Sequence, residues 1–152
     1  MRGISKIVKI FTRKLFPFIL LFGCYLISHG HVSSGGGFQG GVMFGSAIIL
    51  LGLVEGVNVT QNRFTEDILS LFKNLGMLLF VLSGLLSILL GYNFLADFLP
   101  HGEGGTVPST GFIFLLNLVA GFMVGTGIAV IFYRLVKHVM PRRLKEKEES
   151  WI

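Results

Sequence analysis

All thirteen lysines and arginines of this chain fall in three short segments, and four long apolar runs lie between them. The runs cover about residues 15–28, 38–57, 75–93 and 112–136. A helix needs about 20 apolar residues to cross the hydrocarbon core of a bilayer. Lipid offers no hydrogen-bond partner to an open backbone, so such runs must be helical. The expected fold is all-α: an integral membrane bundle of about four transmembrane helices. It divides into a basic N-terminal segment 1–14, a membrane domain 15–137 and a charged tail 138–152.

The positions of the charges orient the bundle. Arg2, Lys6, Lys9, Arg13 and Lys14 precede the first run. Arg63 and Lys73 lie between the second and third, and Arg134, Lys137, Arg142, Arg143, Lys145 and Lys147 end the chain. The two remaining links, 29–37 and 94–111, contain no Lys or Arg. With four spans, the basic segments share one side of the membrane and the bare links share the other. Cationic loops are retained in the cytoplasm, so both termini and the link 58–74 are expected there, in the cell membrane.

Composition supports the same class. Charged residues make up 14% of the chain, against about 25% in soluble domains. Four spans and short tails use up its 152 residues, which leaves no room in this sequence for a soluble catalytic domain. The basic stretch followed by an apolar run resembles a secretory leader. A glycine run and a second apolar run follow it, so the first run is expected to be retained as a span. The single cysteine, Cys24, excludes an internal disulfide and paired-cysteine metal sites.

Small residues spaced four apart let membrane helices approach closely. Gly41, Gly45, Gly52 and Gly56 share one face of the second run, and Gly121 and Gly125 recur in the fourth. These six are expected to pack helices, within the bundle or against other subunits. Thr65, followed by Glu66 and Asp67, is placed to cap a short interfacial helix that leads into the third span. Pro17 is expected in the first turn of its helix, where its missing N–H is harmless.

The first bare link and its border read His29-Gly30-His31-Val32-Ser33-Ser34-Gly35-Gly36-Gly37-Phe38-Gln39-Gly40-Gly41. It lacks the Gly-Lys-Ser/Thr ending of a phosphate-binding loop. Gly35, Gly36, Gly37, Gly40 and Gly41 are expected to form a tight turn in which backbone approaches another helix. A β-branched residue at Gly36 or Gly37 is expected to disrupt it by resisting positive φ.

The His-Gly-His, the Gly-Gly-Gly-Phe and the Gly-Gly after Gln39 stand in the order found in the MnhB family, which the chain resembles over nearly its whole length. That family comprises the MnhB subunits of Mrp-type multisubunit sodium/proton antiporters and their relatives in archaeal membrane-bound hydrogenases and related respiratory complexes. Ser34 departs from the pattern, which has proline before the triple glycine. The resemblance implies a supporting subunit without catalytic residues or cofactor. Its partners would be other small membrane subunits and large antiporter-like subunits, and the assembly would exchange Na+ for H+.

Among polar residues, Glu55 is the one acid inside an expected span. A carboxylate at membrane depth is a candidate ion-path group; the alternative is an interfacial Glu paired with Arg63 or with a partner's cation. His29 and His31, at the outer mouth of the first helix, can titrate near neutral pH. With only distant His101 as a third ligand they fall short of a metal site. Asn117 is deep enough to serve a path or to bond between helices. Asp97, His101 and Glu103 make the second outer link acidic. The leading function is therefore a non-catalytic membrane subunit with a scaffolding and candidate ion-path role. The alternative is an autonomous small oligomeric ion transporter.

Overall fold

A computed structural model describes residues 4–30, 35–97 and 111–149, without the side chains of 140–149. His31, His101 and Glu103 lie outside the described residues. The elements run α1 (Lys6–His29), α2 (Gly37–Glu55), α3 (Val57–Arg63), α4 (Glu66–Leu89) and α5 (Phe112–Glu149). No strand occurs among the described residues. Four of the helices are long and apolar enough to cross a membrane: α1, α2, α4 and the Phe112–Val139 part of α5.

Three helices are longer than the apolar runs suggest. α1 begins at Lys6, where the Ser5 side chain caps it by accepting the Ile7 amide at 3.3 Å. The basic stretch alternates with Ile7, Ile10 and Phe11 and contains no helix breaker, so the helix simply continues through it. Pro17 consequently sits in the helix interior rather than the first turn. It removes the N–H that would have bonded to the Arg13 carbonyl. α4 begins at Glu66 and runs unbroken into the span, so no separate interfacial helix forms there. Thr65 takes the N-cap position, but its side chain makes no capping bond; Glu66 and Asp67 occupy the positive end instead. The last helix continues past its apolar run to Glu149.

Breaks occur where glycine permits positive φ. Gly56 (φ 102) separates α2 from α3, and Gly91 (φ 83) follows α4. At the latter turn the Gly91 and Tyr92 amides bond back to the carbonyls of Ile88 and Ser87 at 2.9 and 3.0 Å. The chain then folds over α4, so that Phe94 lies against Gly84.

The spans stand in the order α1–α2–α5–α4, with α2 and α5 forming the central pair. Half of the apolar window of α2 is buried, against 17% in α1 and α4, so the two outer helices keep most of their apolar surface uncovered. The core lies toward the α3 end: Ile48, Leu69, Ala129, Val130 and Tyr133, with Phe44, Val57, Phe64 and Phe132 packed against them.

Glycine on both sides sets the spacing of the central pair. A Cβ at Gly41 would lie 2.5 Å from the Gly121 carbonyl oxygen, and one at Gly125 would lie 2.9 Å from the Gly41 oxygen. A Cβ at Gly45 would meet the Gly125 oxygen at 2.9 Å, and one at Gly52 the Phe132 ring at 2.9 Å. Gly40 points the other way, toward α1: a Cβ there would lie 2.6 Å from the Gly23 oxygen. α2 is thus flanked by close backbone contacts on two faces. Gly56 is not part of this packing. It is exposed with open space around it, because the helix has already ended at Glu55.

These distances separate structural glycines from replaceable ones. Gly41→Ala should destabilise the bundle by about 1–3 kcal/mol, because backbone blocks the new methyl. Gly127→Ala, whose methyl would meet only the flexible Lys73 side chain at 3.8 Å, should be neutral or stabilising by up to about 1 kcal/mol. Reversible unfolding in mixed micelles checks both; equal losses would refute the assignment.

Candidate functional site

Two polar sites occupy opposite ends of the bundle. They are separated by the length of α2, whose 18 steps from Gly37 to Glu55 rise about 27 Å.

At one end lies Glu55, the last residue of α2. Its side chain is 2% exposed and takes an ion pair from Arg13 of α1, whose Nε donates to Oε1. Arg63 of α3 approaches Oε2 at 3.9 Å, too far for a hydrogen bond, and that oxygen has no hydrogen-bond partner. One carboxylate thus joins three helices. Both arginines are more than half exposed, at 59% and 56%, so their charges stay solvated while the carboxylate is covered. The same end carries a second pair: Arg134 of α5 donates to Glu66 at the start of α4 at 3.0 Å. Together the two pairs tie α1 to α2 and α4 to α5, in the layer where the cationic segments gather.

At the other end the glycine turn brings α1 and α2 together. A Cβ at Gly30 would lie 2.3 Å from the Gly36 Cα, and one at Gly35 would meet Leu26 at 3.1 Å. α2 starts after Gly36, which is extended (φ −179) and has no side chain with which to cap the helix. The cap comes from far along the chain: Asn117 Oδ1 of α5 accepts the Gly37 amide at 3.4 Å. Gly37 itself rests on the Asn117 backbone, whose oxygen would be 2.2 Å from a Cβ. At Gly37 the expected intolerance therefore rests on close approach; the positive φ of this turn falls one residue before Gly36, at Gly35 (φ 157). Gly36 is not positive in φ, and a Cβ there would meet only side-chain atoms, Gln39 Oε1 at 3.3 Å and Asn117 Oδ1 at 3.8 Å.

His29 stacks on Tyr25, with ring centroids 4.4 Å apart, and its Nδ1 lies 3.3 Å from the Tyr25 carbonyl oxygen. Both contacts lie within its own helix. Asp97 caps the start of α5 by accepting the Phe112 amide at 3.2 Å. Among the described residues no cluster of three His, Cys, Asp or Glu side chains could hold a metal.

The candidate ion-path residues are therefore not brought together. Glu55 stands at the cationic end, and His29 and Asn117 stand at the other. Among the described residues the seam between them is glycine and apolar: Gly41, Gly45, Ile48, Gly121, Gly125 and Ala129, with the Phe44 and Phe132 rings against Gly125 and Gly52. Thr126, the buried hydroxyl along it, donates to the Phe122 carbonyl of its own helix at 2.7 Å. Arg13 and Arg134 are the functional partners that sequence reasoning missed. In the sequence both read only as orienting charges, since nothing in a single chain says which carboxylate a given arginine meets.

Comparison with known proteins gives this architecture a family. The family model described as a domain related to the MnhB subunit of Na+/H+ antiporter matches residues 7–130. The chain is 38% identical to a Na(+)/H(+) antiporter subunit of Bacillus subtilis over 92 residues, which are 60% of this chain and 61% of that protein. It is 26% identical to an uncharacterised protein of Methanocaldococcus jannaschii over 96% of this chain and 58% of the relative. Among solved structures, a chain of the membrane-bound sulfane sulfur reductase, an archaeal respiratory membrane complex, superposes with a TM-score of 0.74 at 30% identity. That match covers 88% of this chain and 59% of the other. The chain thus spans about three fifths of the length of these relatives. The matched stretch holds the glycine turn, the Glu55 pair and most of all four spans, and the chain belongs to the MnhB family.

Proposed function

We propose that this chain is a non-catalytic membrane subunit of a multisubunit Na+/H+ antiporter module, either stand-alone or part of a hydrogenase-type respiratory complex. The observation that carries the reading is the row of four helices with its two outer members uncovered. α1 exposes Phe11, Phe18, Leu21 and Phe22, and α4 exposes Leu71, Met77, Leu82 and Leu89. Glycine contacts hold the centre rigid, so the row suits a spacer that offers two apolar flanks to neighbouring subunits. The names of its relatives, an antiporter subunit and a respiratory membrane complex, point the same way. The cationic end lies in the cytoplasm in this reading, as the retention of basic loops requires.

The alternative, an autonomous transporter, is weaker on physical grounds. An ion path through one small bundle needs polar groups at depth, and the central seam offers mostly glycine and apolar side chains instead. Glu55 is already neutralised by Arg13, so any ion-carrying role requires that pair to open.

Affinity purification of the full chain from native membranes should bring down several other membrane subunits, and its deletion should dissolve their assembly. A chain recovered alone would refute the subunit reading. Labelling should find the 58–74 link on the cytoplasmic side and residue 96 on the outside. For the ion pair, Arg13→Met should destabilise the bundle by about 1–3 kcal/mol, because it strands a covered carboxylate. Arg13→Met with Glu55→Gln should recover much of that loss, giving a coupling of about 0.5–3 kcal/mol. Glu55→Gln alone should impair sodium-dependent exchange by the assembly if the pair opens during transport; unchanged exchange makes the pair purely structural.

A further inference from the structure

A cleft of about 730 Å³ opens at the cationic end between α3, the start of α4 and the end of the α5 span. The Glu55 pair takes no part in it. Asn58, Gln61 and Asn62 line one wall, Glu66 and Asp67 the second, and Lys137 the third. Tyr133 also lines it; this residue is fully buried, and its hydroxyl has no hydrogen-bond partner among the described residues. Buried polar groups nearly always have partners, and the cleft that this residue lines is a place from which one can be supplied.

The charges define that occupant. Glu66 is taken up by Arg134. Asp67 and Lys137 remain, both exposed and neither in an ion pair among the described residues. The site thus offers one cation, one anion, three carboxamides and a phenol. Its depth narrows the choice further. Glu66 begins one span, and Lys137 lies two residues before the end of another. This is the level of lipid head groups, where long basic side chains reach out of the hydrocarbon.

We propose that this cleft seats the head group of a zwitterionic aminophospholipid. The lipid phosphate accepts from Lys137 and the Tyr133 hydroxyl, and its primary ammonium donates to Asp67. A quaternary choline has no N–H to give and leaves Asp67 unmatched. The proposal is independent of the antiporter reading, since it concerns the lipid and not the transported ion.

The test uses the native assembly, stripped of lipid and returned to nanodiscs of anionic lipid mixed with either phosphatidylethanolamine or phosphatidylcholine. Lipid retained by the protein is then measured by native mass spectrometry. Wild type should hold ethanolamine lipid several-fold better than choline lipid. Tyr133→Phe, which keeps the ring packing, and Lys137→Met should each lower retention of both lipids, and Asp67→Asn should bring the preference toward parity. Lys14→Met, a cation outside the cleft, should leave it unchanged. Equal retention of the two lipids, a preference untouched by Asp67→Asn, or retention untouched by Tyr133→Phe and Lys137→Met overturns the proposal. Displacement by soluble glycerophosphoethanolamine at matching concentration also overturns it, in favour of a free small molecule. So does a photocrosslinker at position 61 that captures only polypeptide.

Discussion

The backbone-to-backbone seam between α2 and α5 is the constraint on which the rest of this molecule depends. Gly41 and Gly45 lie so close to the Gly121 and Gly125 carbonyls that backbone stands where their methyls would be, and the Gly41 carbonyl does the same to Gly125. Within a bilayer no hydrophobic effect drives helices together, so close van der Waals packing must do it. Every other placement follows from that seam. Asn117 comes within reach of the Gly37 amide only because α5 lies flat against α2 there. α1 then adds to the opposite face through Gly40 and Gly23, and α4 adds to α5 through Gly76, where a Cβ would meet Met123 at 3.1 Å. The outcome is a row, and a row has two uncovered flanks.

The ion pairs act differently. They do not bring helices into contact, since the glycines already do so; they fix the cationic ends relative to one another. Covering Glu55 while leaving Arg13 and Arg63 in contact with solvent lowers the cost of burying the carboxylate, because only one member of the pair loses its hydration. Arg134 and Glu66 repeat the device on the far side of the row, with the carboxylate again the better covered partner.

Much of the architecture is legible in the residues because bilayer physics is severe. Apolar run length and the confinement of the basic residues define four helices and their alternation. The i, i+4 glycine spacing marks the face of α2 that meets α5. Helix ends are less legible. Apolarity marks where lipid begins, not where a helix begins, and so α1 starts at Lys6 and α4 at Glu66, each well before its apolar run. Pro17 falls inside its helix for the same reason. Gly56 shares the face of Gly52 by spacing alone but falls beyond the helix, where its φ of 102 gives it the work of a break. The site is the least legible part. Asn117 caps a helix that starts 80 residues earlier, and Arg13 meets a carboxylate 42 residues away. Both pairings are products of packing and leave no local trace in the sequence.

The distribution of polarity also bears on how such a chain can serve ion transport. Its charged groups gather toward the two ends, and the central seam is built of glycine and apolar side chains. A protein that carries ions through itself needs the reverse, a polar and accommodating middle. Under the proposed function, ions would therefore pass along one of its flanks, where a neighbouring subunit could supply the polar half of a path. The rigidity of the glycine seam then has a purpose of its own. In the proposed antiporter subunit it would hold one wall of such a path at a fixed distance from a neighbouring subunit.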